Sequence, residues 1–403
     1  MTSGHRCSCR PSFWPLLAAL ASAQAASSQT TWNVVPPDIQ SAVNQANPGD
    51  TLVLAAGGYY PFTLNKGLTI VGTNTPVGYG PGSPTPAGIH IQVPVGQVAN
   101  LIGIDCTYSY SPYGSIGTAV QVLGGSVRFD SCTLRSGVTN ALEASNATVV
   151  VTGSTITAVG SIGTGNGIYA TNSSITLRDC VVRGADSACM APLGCLYGTY
   201  PAKQAVNLDG STLHAERTTF VGGSQGWGPV GGAAGVQAGP GSSVWLANCT
   251  LTGGNTGQGG TALVNNGLVA DLLNTTLNPG SPGGSASSGP VNTAAPLLQA
   301  ALAPIWMRGA TSTLTLTGTQ GAPYALFLTP AATALTTAVV SEPVWVASAV
   351  SISGGLLDTV GVASFSISVP NVPALQHASV WCQAISGFTL PLRASTIAGG
   401  VVR

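Results

Sequence analysis

The amino-acid sequence predicts an all-β protein, most of which is a solenoid of short parallel strands. One motif recurs: "SSITLRDCVVRG" from Ser173 returns as "SSVWLANCTLTGG" from Ser242 and as "GSVRFDSCTLRSG" from Gly125. Only 6% of the residues are charged, whereas the exposed faces of helices are rich in Glu, Lys and Arg. Glycine accounts for 54 of the 403 residues, and Val, Ile, Thr, Ser and Asn, which favour strands and turns, are abundant.

Two rows of equivalent positions advance together along the chain, which indicates stacked structural units. One row is marked by the cysteine of the motif, and its members are predicted to point inward and to stack: Cys106, Cys132, Ser154, Cys180, Thr218, Cys249 and Thr275. The other row is apolar and precedes the first: Val120, Leu142, Ile168, Val206, Val236 and Leu263.

Alternation within one unit predicts its cross-section. Ile175 and Leu177 are apolar, their neighbours are polar, and at Asp179 the alternation changes phase, so that Cys180 and Val182 become the inward pair. A single residue that breaks a period of two predicts a corner, and Asn, Asp and Gly tolerate the left-handed backbone that such a corner requires. The predicted corners are Asp105, Ser131, Gly153, Asp179, Arg217, Asn248 and Asn274.

The repeat lacks the Leu and Asn spacing of leucine-rich repeats and any segment resembling their helix. Over residues 30–280 it resembles the right-handed parallel β-helix, or pectin-lyase-like, family. The opening "DIQSAVNQANPGDTLVLAAGGYY" is similar to the start of that family, with a short amphipathic cap (Ile39, Val43 and Ala46) before Pro-Gly-Asp and the first strand. A cap is needed because an open coil end exposes the core.

Composition along the chain divides it into four segments. Arg6 and Arg10 precede the apolar run "FWPLLAALASA", which ends at the small residues Ala23 and Ala25, a pattern typical of a signal peptide; the run is too short for a membrane anchor. We therefore expect a secreted or cell-surface protein, with no later membrane-spanning segment. The predicted segments are a signal peptide (1–25), the β-helix (26–280), a Gly/Ser/Pro linker (281–296) and a small antiparallel β-sandwich (297–403).

The outward row of the first strand in each unit is the predicted functional surface. A formal net charge of zero argues against nucleic acid as a partner. Amide and aromatic side chains aligned along an axis suit the hydroxyls and ring faces of successive sugars, and in the enzymes of the resembling family polysaccharide lies across this face. The row is Gln121, Glu143, Tyr169, Asn207, Gln237 and Val264, with Tyr197, Tyr200 and Trp227 on the insertions predicted to flank it. A polysaccharide or cell-surface glycan is the expected partner, and an adhesin-like rod with no ligand is the alternative.

Catalysis by an unfamiliar site is a further alternative. The resemblance implies either a calcium-binding acidic cluster with an Arg or Lys base, or clustered aspartates, and the sequence contains neither motif. The remaining candidates for a polysaccharide lyase or glycoside hydrolase are Glu143, Asp209, Arg183 and His214. No cofactor and no metal site is predicted, and calcium is the candidate ion if the protein is a lyase. Arg178 and Glu216 are expected to form a surface ion pair, with His214 beside them in solvent.

The cysteines fall into two groups. Nine are present, and Cys7 and Cys9 lie in the predicted signal peptide. Cys189 and Cys195 bracket "MAPLG" in a long insertion, which predicts a loop-closing disulfide in an exported protein. Cys106 and Cys132 could bridge neighbouring coils, but we favour buried free thiols, because cysteine packs as a small apolar residue.

Overall fold

The computed structural model describes most of the chain as strands. It covers residues 29–78, 88–108, 117–159, 165–189, 199–224, 231–255, 258–293, 298–301, 305–329, 335–337, 340–344, 350–375, 379–388, 392–395 and 398–402. Thr30–Pro296 forms one compact unit, and Leu297–Arg403 belongs to another.

The first unit is a coil of three parallel sheets, which we name by the position of their strands in each turn. The first-strand sheet comprises Phe62–Leu64, Ile89–Ile91, the starts of Val120–Asp130 and Leu142–Thr152, Ile168–Thr171, Val206–Asp209, Val236–Ala238, Leu263–Asn265 and Ser287–Ser288. The second-strand sheet comprises Thr31–Val34, Thr51–Leu54, the starts of Thr69–Gly78 and Val98–Tyr108, the ends of Val120–Asp130 and Leu142–Thr152, Ser174–Arg178, Thr212–Glu216, Ser243–Ala247, Ala270–Leu273 and Val291–Thr293. The third-strand sheet comprises the ends of Thr69–Gly78 and Val98–Tyr108, Thr133–Ser136, Thr155–Ala158, Val181–Arg183, Thr219–Val221, Thr250–Thr252 and Thr276–Asn278. The predicted right-handed parallel β-helix is therefore confirmed.

Left-handed residues make the corner before the third strand, as predicted, in all but one of the predicted coils. The residues with positive φ are Ser131, Gly153, Asp179, Arg217, Asn248 and Asn274. The exception is Asp105, which pairs in register with Thr133 and lies inside a strand, while the corner of that coil is Gly103 at φ 63°. Glycine takes the left-handed conformation without steric cost, so the chain turns two residues earlier than the cysteine of this coil suggests.

The same shift corrects the register of Cys106. It pairs with Leu134, so it does not belong to the row of Cys132. A disulfide between them is not formed. The described buried cysteines of the coil are free thiols: Cys106, Cys132, Cys180 and Cys249.

Inward hydroxyls tie each corner to the next coil. The N–H of Cys132 donates to Ser154 Oγ at 2.9 Å, and the N–H of Cys180 donates to Thr218 Oγ1 at 3.4 Å. Burial raises the pKa of the Cys132 and Cys180 thiols to about 12, so both stay protonated. The inward row therefore supplies shape and hydrogen bonds, and its thiols have no nucleophilic character.

A second row of corners, between the first and second strands, was not anticipated from the sequence. Its residues with positive φ include Asn146, Asn172, Gly210 and Gly241. Ser173 Oγ accepts from the N–H of Ala147 at 3.1 Å, and Ser211 Oγ accepts from the N–H of Ser173 at 3.0 Å. Asn or Gly followed by an inward Ser is thus a repeated corner signal.

The predicted cap is the short helix Gln40–Gln45, which covers the open end of the core. Ile39, Val43 and Ala46 are buried, as the pattern predicted. Asp50, which follows it, is 2% exposed and accepts hydrogen bonds from the N–H groups of Thr30 and Asn47 and from the Trp32 indole. Burial opposes its charge, but these bonds outweigh that effect and hold the pKa of the carboxylate below its usual value.

Both arms of each connection between the third and first strands meet in one column of backbone hydrogen bonds, which we call the loop column. Successive N–H groups donate along it, each to the carbonyl of the residue before it, at 2.8 to 3.1 Å. Its members, in hydrogen-bonded order, are Gly165, Ala185, Lys203, Gly223, Ala233, Gly254, Gly260, Gly280 and Gly284. Every insertion that departs from the column after Gly165 therefore returns to it.

The coil extends beyond Gly280. Ser287–Ser288 pairs with the strand at Leu263, and Val291–Thr293 pairs with the strand at Ala270. Part of the segment predicted as a linker, residues 281–296, is therefore a final partial coil. The segment is rich in Gly, Ser and Pro. That composition is found both in the corners of a coil and in linkers, so it did not distinguish the two.

The second unit contains mainly antiparallel sheets, two of which share a core, and Ile305–Trp306 pairs in parallel with Ala398–Val402. Its strands are Gln299–Ala301, Ile305–Trp306, Thr311–Thr317, Pro323–Thr329, Leu335–Thr337, Val340–Val344, Val350–Leu356, Val362–Ser368, Ser379–Ser386, Arg393–Ala394 and Ala398–Val402, with a 3₁₀ turn at Pro373–Leu375. Leu314 and Leu316 from one sheet pack in the same buried cluster as Leu326 and Ala384 from another. This is the arrangement of a small sandwich.

We predict that Gly254→Ala destabilises the coil. A Cβ at this position would overlap the carbonyl oxygen of Gly223 in the loop column, where no flexible side chain can yield. The expected loss is about 2 kcal/mol or more of unfolding free energy, measured by urea unfolding of the full chain. Gly58→Ala is the matched control, because a Cβ at Gly58 meets nothing within 4 Å. If the two variants have equal unfolding free energies, the claim that backbone packs directly on backbone in the loop column is wrong.

Candidate functional site

The outward side chains of the first-strand sheet form one continuous row. Strand register aligns Gln121, Glu143, Tyr169, Asn207, Gln237 and Val264 on successive coils. All six are partly exposed. Neighbouring parallel strands lie about 4.8 Å apart, so the row presents one side chain per coil at that interval. We call it the outward row.

The row is longer than the sequence analysis predicted. His90 pairs with Gln121, and Thr63 pairs with His90, so both continue the outward row toward the capped end. The repetition of "GIHIQV" by "AVQVLG" was the available signal. It was missed because the Gly- and Pro-rich segment at 79–87 interrupts the period before His90.

A second line of polar side chains lies beside the outward row, just before each first strand; we call it the shoulder row. Its members are Thr118, Asn140, Asn166, Gln204 and Thr261. The hydroxyl of Thr118 donates to Glu143 Oε2 at 3.1 Å, and Asn140 Nδ2 donates to the same oxygen at 3.5 Å. Asn140 Oδ1 in turn accepts from the side chain of Asn166 at 3.2 Å.

Two further contacts fix the outward row on either side of Glu143. Gln204 Nε2 donates to Gln237 Oε1 at 2.7 Å, and His90 Nδ1 lies 3.2 Å from Gln121 Oε1. Side chains held by neighbours lose less entropy when they bind a ligand. The face is therefore a pre-arranged line of hydrogen-bonding groups.

The structure does not bring the four candidate catalytic residues together. Glu143 and Asp209 lie on the first-strand sheet, but two coils apart and two residues out of register. Arg183 is on the third-strand sheet and pairs with Asp186 at 2.8 Å. His214 is on the second-strand sheet, in register with Thr176 and Trp245.

His214 is also buried, which corrects the expectation that it is solvated. It is 6% exposed, and Arg178 and Glu216, expected as a surface ion pair, are 3% and 2% exposed. Ion pairs run through the corner residues instead: Asp179 Oδ1 lies 2.7 Å from Arg217 Nε, and Arg217 also contacts Glu216. The outward face of this sheet is therefore largely buried, and charged side chains lie within it.

Apolar residues on the same outward face were the missed signal. Trp245, Ala247 and Leu273 form a buried cluster there, although strict alternation would make these positions polar. The row in register here runs Thr176, His214 and Trp245. A large apolar residue such as Trp in an outward row indicates that the surface is covered. Alternation gives the direction of a side chain, but it does not show whether water reaches it.

Burial shifts the pKa values of the titratable groups on this face in opposite directions. It raises the pKa of Glu216 to about 7, against the attraction of Arg217 and Arg178. It lowers the pKa of His214 to about 4. Within the described part of the chain, the second carboxylate oxygen of Glu216 has no hydrogen-bond partner, which agrees with a carboxyl that favours its protonated form.

Several predicted site residues lie outside the described structure. Cys195, Tyr197 and Trp227 are among them, so the Cys189–Cys195 disulfide and the aromatic contribution of the insertions stay predictions. The backbone at Ala188–Cys189 pairs in antiparallel fashion with Thr199–Tyr200.

Within the described ranges, no group of three or more His, Cys, Asp and Glu side chains is placed to hold a metal ion. Among the described helices, none is long and apolar enough to cross a bilayer.

Comparison with known proteins finds distant structural likenesses and no match by sequence. No family model matches the sequence, and no curated protein matches it. In solved structures the chain is similar to tailspike protein 2 of the Escherichia coli O157:H7 bacteriophage CAB120, with 10% identity, a TM-score of 0.38, and coverage of 90% of this chain and 65% of the tailspike. It is also similar to an alginate lyase from Paenibacillus sp. str. FPU-7, with 14% identity, a TM-score of 0.27, and coverage of 64% of this chain and 99% of the lyase.

The chain thus spans about two thirds of the tailspike it matches. Neither likeness bears on activity. The class that the fold defines is a parallel β-helix, and it rests on the strand pairing of this chain.

We predict that His214 and Glu216 give the unfolding free energy opposite dependences on pH. Glu216 has a folded pKa of about 7 against an ordinary 4.5, so its contribution is present below pH 4.5 and is lost as the pH rises through 7. His214 has a folded pKa of about 4 against 6.5, so its contribution is present above pH 6.5 and is lost as the pH falls through 4. Between pH 4.5 and 6.5 the two slopes, each about 1.4 kcal/mol per pH unit, offset one another.

Single substitutions separate the two slopes. Relative to the unmodified chain, Glu216→Gln should make stability rise more steeply with pH in this window, and His214→Gln should make it fall. Urea unfolding across the window measures both, and the double variant serves as the control, with the slope of the parent chain. If the plots of unfolding free energy against pH for both single variants run parallel to that of the parent chain, neither group is buried in the protonation state described.

Proposed function

We propose that this protein binds a polysaccharide along its first-strand face, one sugar unit per coil. The observation that carries the proposal is the outward row itself, from His90 to Gln237, where amide, carboxylate, imidazole and phenol groups repeat at the rise of the coil. That rise, about 4.8 Å, is close to the length of one pyranose unit in an extended glycan. Amides match sugar hydroxyls as donors and acceptors, and the partly exposed ring of Tyr169 suits the apolar face of a sugar.

The loop column supports this placement. The insertion between Ala185 and Lys203 carries Tyr197 and Tyr200, and the insertion between Gly223 and Ala233 carries Trp227. Lys203 is four residues before Asn207 of the outward row, so the insertion re-enters the coil within about 14 Å of that row. Tyr60, 46% exposed, precedes the first strand of the capped coil in the same way.

Binding without turnover is favoured over a lyase or hydrolase. The four candidate catalytic residues lie on three different sheets, and His214 is buried on a sheet other than that of Glu143. A glycosidase needs two carboxyl groups within about 5–9.5 Å, whereas two coils and two residues separate Glu143 from Asp209. Release of reducing ends from the same glycans would instead favour catalysis, and its loss in Glu143→Gln would identify the acid.

Export is part of the proposal. It is supported by the basic residues, the apolar run and the small residues of segment 1–25. Mass spectrometry of the chain recovered outside the cell, with Ala26 as its first residue, would bear this out, whereas recovery of the uncleaved chain inside the cell would contradict it.

We predict that Tyr169→Ala weakens glycan binding by roughly two- to tenfold, because an aromatic contact contributes about 0.5–1.5 kcal/mol. Affinity electrophoresis or calorimetry on a panel of polysaccharides provides the measurement. Phe388→Ala is the matched control, since it removes an aromatic side chain that is 67% exposed from the other unit. If both variants lose the same affinity, or if Tyr169→Ala loses none, the outward row is not the binding site.

A further inference from the structure

The first-strand face carries negative charge and, in its described rows, no Lys or Arg. Beside the outward and shoulder rows runs a third line, two residues further along each first strand: Gln92, Leu123, Ser145, Thr171 and Asp209. The described positions of the three lines include two carboxylates, Glu143 and Asp209, and neither a lysine nor an arginine.

The insertions do not change this balance. The segments 79–87, 109–116, 160–164, 190–198, 225–230 and 256–257 contain no Asp, Glu, Lys or Arg in the sequence. The cations nearest to the three lines along the chain are Lys66, Arg135, Arg183 and Lys203, and none of them belongs to a line. Arg183 is paired with Asp186, and Arg135 and Arg183 both lie on the third-strand sheet. In their described positions, the three lines themselves therefore carry two carboxylates and no lysine or arginine.

This balance decides the class of glycan. We propose that the site selects uncharged polysaccharides and disfavours polyuronates, an inference that rests on the proposed function. A polyuronate carries one carboxylate per sugar. Threaded at one sugar per coil, it would bring its charges beside Glu143 and Asp209 with no cation in the rows to neutralise them. Proteins that bind polyanions supply basic side chains along the path of the polymer.

The hydrogen-bond geometry agrees with an uncharged ligand. Glu143 already accepts hydrogen bonds from Thr118 and Asn140 through one oxygen, which orients its other oxygen as an acceptor for a sugar hydroxyl. A uronate has a carboxylate where a neutral hexose has its C6 hydroxyl, so it offers one donor fewer for such a contact.

Paired oligosaccharides that differ only in charge test the inference. The probes are hexagalacturonate and its full methyl ester, and carboxymethylated cellohexaose and plain cellohexaose, titrated into the full chain at low salt. We expect the uncharged member of a pair to bind about tenfold more tightly, since each carboxylate contributes about threefold repulsion at some 6 Å in water. Calcium should not reverse the order.

Substitution locates the effect. Glu143→Gln and Asp209→Asn should each lower the preference for the uncharged member about threefold. Asp105→Asn, which removes a carboxylate from the third-strand sheet, is the control and should leave the preference unchanged. A preference unaffected by Glu143→Gln and Asp209→Asn would overturn the inference.

The outcomes separate this inference from the function on which it rests. Binding of both members with equal affinity, or tighter binding of the charged member with or without calcium, overturns the preference and leaves glycan binding standing. Binding of neither member in both pairs contradicts glycan binding itself, and the charge preference falls with it.

Discussion

Backbone hydrogen bonds between successive coils are the constraint on which the rest of this structure depends. They hold equivalent residues of neighbouring turns at one spacing, so a property of one position becomes a property of a whole row. Inward rows become a continuous core, left-handed residues become two lines of corners, and glycines become a column where backbone packs on backbone. The outward row of the first-strand sheet is a product of the same constraint.

Low charge gives this arrangement its chemical character. A chain with 6% charged residues offers few ion pairs to a ligand, so attraction on the proposed face rests on hydrogen bonds and ring contacts. The described charges are concentrated elsewhere: Arg178, Glu216 and Asp179 lie on or beside the buried outward face of the second-strand sheet. The first-strand face has Glu143, Asp209 and otherwise neutral polar groups, which suits a neutral polymer.

The repeat made most of the coil predictable. Each row of equivalent positions has several members in the sequence, so a residue of uncertain orientation can be assigned from its counterparts in other coils. Predictions failed where a position was read singly. Gly103 replaced Asp105 as a corner because a glycine two residues away could turn the chain at lower steric cost. His214 proved buried because alternation reports direction and says nothing of what covers a face. His90 was missed because an insertion hides its coil from the repeat.

The length of glycan that the site recognises tests the central claim most directly. If one coil contacts one sugar, affinity for neutral oligosaccharides of increasing length should rise with each added unit until the glycan spans the six positions from His90 to Gln237, and then level off. Calorimetry with a cello-oligosaccharide or methyl-esterified galacturonide series measures this. An affinity that levels off at one or two units would show a single pocket and contradict a site built by the repeat.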